Sequence, residues 1–108
     1  MTSAPSPLER AVIDLVATKY WPAFRGDDVA VVSRKDTGVG RYTYFVDRSE
    51  QALVDGTYGV SGRYVEMEGI PNGLFFVLEV RNSRIASMEL VTCGGDSWDG
   101  VERAWKIA

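Results

Sequence analysis

The chain has 108 residues, a formal net charge of -3, no histidine and one cysteine. Hydrophobic residues at 45% and charged residues at 25% are the proportions of a single ordinary globular core, which excludes a fibrous or low-complexity protein. An acidic balance with no basic cluster larger than Arg34-Lys35 speaks against nucleic acid as partner, and the lack of histidine removes Ser-His-Asp and Cys-His mechanisms at once.

Met1 to Pro5 offer little apolar surface to offset the entropy of ordering them, so residues 1–5 are expected to form a disordered tail and residues 6–108 a single α+β domain. MTSAPSP has neither the basic start nor the apolar core of a secretory signal, and no run reaches the roughly 18 apolar residues of a membrane span. Cys93 has no second cysteine to pair with, so nothing calls for an oxidising compartment. The expected location is the cytoplasm, with no membrane contact.

Ser6-Pro7-Leu8-Glu9 has the form of a capping box with proline at the first helical position, and Leu8, Ala11, Val12, Leu15, Val16 and Tyr20 then recur as one apolar stripe. The helix should stop near Tyr20 or Trp21, because Pro22 disfavours helical geometry in the residue before it. After a loop over Ala23 to Asp28, Val29 to Arg34 and Arg41 to Asp47 read as strands around the turn Asp36 to Gly40. Arg48 to Asp55 is polar and has room for one helical turn, and Gly56, Gly59 and Gly62 point to sharp curvature before a strand at Arg63 to Glu68.

Leu74 to Val80 and Ile85 to Thr92 flank Asn82-Ser83 and predict a tight β-hairpin. With Arg81 facing Arg84, the register sets Val80 against Ile85, Val77 against Met88 and Phe75 against Leu90, and places Glu89 opposite Phe76. Residues 60–92 then form a three-stranded meander, while Val101 to Ile107 fits either a strand or a short helix. The whole predicts an α+β fold, an N-terminal helix packed on a curved antiparallel sheet of about five strands.

Without histidine, a zinc site would need Cys93 and carboxylates alone, so no metal and no cofactor is expected. The candidates for binding a small ligand are Tyr42 and Tyr44, which share one face of a strand, Glu89, whose burial in the register above would raise its pKa, and Cys93. Plainer readings stand beside each: tyrosines on strands are common packing residues, Glu89 can pair with an arginine, and a lone cysteine is most often a small hydrophobe. Asp27, Asp28, Asp96, Trp98 and Asp99 lie on loops and are the candidates for contact with a partner. The alternation around Asp96 to Gly100 does not follow a calcium loop.

In order and spacing, GVGRYTYFVD at 38–47 and GIPNGLFFVLEVRNSRIASMELVTCGGDSW at 69–98 resemble small bacterial proteins of unassigned function. The resemblance covers about the C-terminal two-thirds of the chain and implies a stand-alone bacterial domain. It carries no catalytic or binding residue to transfer. Helix-on-curved-sheet folds of the cystatin-like kind host binders, inhibitors and enzymes alike.

The expected function is a small protein-binding domain without catalysis, of the inhibitor or immunity type. The alternative is a small-ligand-binding domain or histidine-free enzyme that uses the concave face of the sheet. The expected partner is another protein, or a second copy of the chain joined through a sheet edge.

Overall fold

The computed structural model describes residues 2–108, so the expected disorder of Met1 lies outside the described residues. One helix, α1 (Pro7–Tyr20), packs on a single antiparallel sheet. The sheet has seven strands rather than about five: β1 (Val29–Asp36), β2 (Gly40–Asp47), β3 (Gly56–Tyr58), β4 (Val65–Met67), β5 (Ile70–Arg81), β6 (Arg84–Thr92) and β7 (Trp105–Ile107). Their order is β1-β2-β6-β5-β4-β7, with β3 beside the far end of β5. β5 is 12 residues long, and its two halves pair separately with β4 and β3 on the same side. β4, β5 and β6 are the expected meander, and the 101–107 segment ends as a strand along β4. Ser3 exchanges backbone hydrogen bonds of 3.0 and 2.7 Å with Val31, which lays the segment before the helix along the first part of the β1 edge.

The helix starts as its sequence dictates. Ser6 Oγ accepts from the Glu9 amide, the Glu9 carboxylate accepts from the Ser6 amide, and Pro7 occupies the first turn. It ends before Pro22, with the Trp21 amide donating to Ala17. Its buried face differs from the stripe read in the sequence: Leu8, Glu9, Val12, Ile13, Val16 and Ala17 point inward, whereas Leu15 is partly buried and Tyr20 is exposed. These are two adjacent rows at spacing four, 8-12-16 and 9-13-17, and together they rotate the helix so that Glu9 faces the sheet.

Asn82 and Ser83 turn with φ of 54° and 65°, the pair of left-handed residues that a two-residue hairpin loop requires. Asp55 accepts from both turn amides, and the Leu53 amide donates to Ser83. Residues 48–55 are therefore an extended clamp over the hairpin turn, not a helical turn. Val80 pairs with Ile85 as expected, but the register then slips by one, because Glu79 faces Ser87 and leaves Ala86 as an extra residue in β6. Phe75 consequently faces Val91, Val77 faces Glu89 and Leu78 faces Met88.

That slip decides what lies inside. Leu74, Phe76, Leu78 and Val80 of β5 and Ile85, Met88 and Leu90 of β6 form the inner face of the sheet and are buried with Leu8, Val12, Ile13 and Val16 of the helix. Each such side chain contributes roughly 1.5–3 kcal/mol by leaving water. Glu89 belongs to the opposite face. Its expected burial with Leu74 and Leu78 is overturned by the bulge at Ala86.

Candidate functional site

The helix covers one side of the sheet, and the other side carries an organised surface. Cross-strand partners in β2, β6 and β5 set out three rows: Gly40, Val91 and Phe75; Tyr42, Glu89 and Val77; Tyr44, Ser87 and Glu79. Alternation along each strand puts all nine on the face away from the helix. Phe75 is 56% exposed, Tyr44 41% and Val77 36%, so this face is apolar and open to solvent. Tyr42 and Tyr44 are near-parallel, with ring centroids 6.3 Å apart and planes inclined by 16°. Glu89 is at the centre of the grid. The Glu89 carboxylate beside the Tyr42 hydroxyl raises the Tyr42 pKa above the ordinary tyrosine value.

Three of the four ligand candidates, Tyr42, Tyr44 and Glu89, thus meet on the face away from the helix. Cys93 stands just past the end of β6 and is partly exposed. It lines an adjoining open groove of about 1130 Å³, whose walls include Phe75, Tyr64, Glu66, Trp105 and Lys106. Phe75 belongs to both surfaces, so the grid and the groove are continuous.

The loop residues do not gather. Asp27 pairs with Arg10 at 2.9 Å, Asp99 pairs with Arg103 at 2.8 Å, and Asp96 accepts from the amide and side chain of Asn72. Arg103 and the Val101 amide hold the Asp99 carboxyl well below the usual carboxylate range. Asp28 is exposed beside Asp27 in a 3-10 turn. Trp98 is only 2% exposed, with its indole N–H donating to Val101 and the Arg41 guanidinium 5.2 Å from its ring, which removes it from any surface a partner can touch. Among the described residues, no three His, Cys, Asp or Glu side chains converge in a way that would hold a metal.

The sequence reading missed a buried ionic cluster at the start of the helix. The Glu9 carboxylate accepts from Arg34 Nη2 at 2.7 Å and Nε at 2.9 Å, from Arg41 Nη2 at 3.0 Å and from Thr43 Oγ1 at 2.6 Å. Arg41 also donates to Glu102 and to the Gly100 carbonyl. Burial pushes the Glu9 carboxyl up, but the hydrogen bonds from Arg34, Thr43 and the Ser6 amide, with the charge of Arg41, outweigh it and lower the pKa to about 2. Arg41 Nε is buried without a partner; the other groups satisfy one another across helix, sheet and the 98–102 segment, so the cluster is a structural tie. The one sequence signal for it was an acid on the helix flanked by inward-facing positions.

The chain matches no protein-family model, no curated protein and no solved structure.

Proposed function

We propose that the chain is a non-catalytic protein-binding domain, of the kind that masks its partner as an inhibitor or immunity protein does, and that it engages the partner with the uncovered face of its sheet. The observation that carries the reading is the exposure of Phe75, Val77 and Tyr44 on one contiguous surface of a small domain whose other sheet face is filled. Folded monomers seldom leave extended apolar patches in water except where something binds. Two further points support it. The inner face is packed by Leu8, Val12, Ile13 and Val16, which leaves a small ligand no space between helix and sheet. The adjoining groove is open and continuous with the face, a shape suited to a protein segment rather than to an enclosed substrate.

A sheet edge is the weaker route to self-association. Ser3 occupies the backbone groups of Val31, and the extra residue at Val32 interrupts the β1 ladder, both of which blunt an edge. Arg34, near the other end of β1, turns inward to Glu9.

Photo-crosslinking tests the proposal. A photo-reactive residue in place of Val77 should yield a discrete adduct with one protein in extracts of the native organism, and the same residue in place of the exposed Thr18 on the helix should yield none. Equal adducts from both positions, or none from Val77, would overturn it.

A further inference from the structure

Resting on the reading of this face as a protein-binding surface, we infer that it takes an extended basic segment of the partner, with one arginine or lysine side chain seated against the Tyr42 and Tyr44 rings and neutralised by Glu89. Charge complementarity is the argument. Most carboxylates on strands and helix have a cation of their own: Glu9, Asp14, Glu66 and Glu79 are each within an ion pair. Glu89 has none among the described residues, and its cross-strand neighbours on the open face are Tyr42 and Val77, neither of which can neutralise it. The basic groups nearby are otherwise engaged or remote. Arg84 donates to the Gln51 and Ser83 carbonyls, and Arg81 pairs with Glu79. Lys35 is opposite Tyr42 on β1, a strand further from Glu89, and makes no ion pair with it.

Two tyrosine rings beside a lone carboxylate offer a cation both a ring face and a counter-charge, and together these discriminate a basic side chain from a neutral one. The choice of occupant follows from the same geometry. A second copy docked face to face about a two-fold axis through the grid would bring Glu89 against Glu89, and an acidic segment would meet the same charge. A basic, extended chain lays alternate side chains along the rows and meets neither penalty.

Three blocked heptapeptides serve as probes, Thr-Arg-Thr-Arg-Thr-Arg-Thr and its Gln and Glu counterparts, titrated into the intact chain while ring resonances of Tyr42, Tyr44 and Phe75 are followed by NMR. The Arg peptide should shift these rings saturably and the Glu peptide should not. Glu89→Gln, with its fold checked by the unchanged core spectrum, should weaken the Arg peptide about three- to fivefold, and Lys35→Gln should tighten it about twofold. If the Gln peptide binds as tightly as the Arg peptide, the cation site is overturned while the protein-binding reading stands. Silence of all three peptides overturns the inference too, and takes the reading with it only if the Val77 crosslinker is also silent. A dimer in sedimentation that Phe75→Glu dissolves would overturn the inference in favour of a second copy.

Discussion

Desolvation alone would drive the Glu9 carboxyl toward its neutral form, and it is charged because Arg34, Thr43, Ser6 and Arg41 surround it. Its pKa falls from an ordinary 4.5 to about 2 on folding, so the group stabilises the folded state above about pH 4.5, and that contribution disappears as the pH drops toward 2. The contribution amounts to roughly 3 kcal/mol. Glu9→Gln should therefore cost about 3 kcal/mol at neutral pH, since it leaves the Arg34 guanidinium without its counter-charge and Arg41 with Glu102 alone. It should also flatten the dependence of stability on pH between 4.5 and 2, measured by denaturant unfolding at a series of pH values. A variant that keeps the wild-type slope would assign acid sensitivity to other carboxylates. The capping role of Glu9 was legible in the sequence because its partner Ser6 is three residues away. Its second role was not, because Arg34 and Arg41 reach it only once β1 and β2 lie under the helix.

At the scale of elements, what the sequence displayed was local pattern: the capping box, the proline stops, the apolar alternation of β5 and the Asn82-Ser83 turn all correspond to the structure. What it concealed were events one residue wide. In β6 the inward residues are Ile85, Met88 and Leu90, a spacing of three followed by two, and that break in period is the mark of the bulge at Ala86. Treating the strand as unbroken assigned Glu89 to the wrong face. β3 and β7, at three residues each, are too short for a period to show, and they form because β5 and β4 offer them partners. The packing of β2 against β6 rests on Gly40, where an added Cβ would run into the Leu90 carbonyl oxygen. Backbone cannot yield as a flexible side chain does, so Gly40→Ala should destabilise the domain by about 1–3 kcal/mol. Thermal unfolding would check this, and an unchanged midpoint would mean that the two strands have slack between them.

Across the whole molecule, one helix and the 98–102 segment are tied to the sheet from the same side, which is why the opposite face is left bare. Trp98 is the apolar half of that tie and Arg41 the polar half. Trp98→Ala should cost about 3–5 kcal/mol by opening a cavity. Amide exchange in β7, which follows the segment, should accelerate more than in β1; equal acceleration in both would show that Trp98 does not anchor this end specifically. Two readings are open to Trp98 in the sequence, a side chain folded back onto the core from a polar loop or a contact for a partner, and the structure has the first: Asp96, Ser97, Asp99 and Gly100 are polar, and the one apolar side chain among them folds inward. The Glu9 cluster also bears on synthesis. A ribosome makes the helix before the strands that cover its glutamate, when neither arginine is yet there to meet the charge. Arg34 follows 25 residues later and Arg41 32 residues later, and Arg41 then waits another 61 residues for Glu102. Until the arginines emerge, the charge on Glu9 opposes sinking that side of the helix into any apolar surface, so the nascent chain carries its own check against docking the helix before the sheet it belongs on has been made.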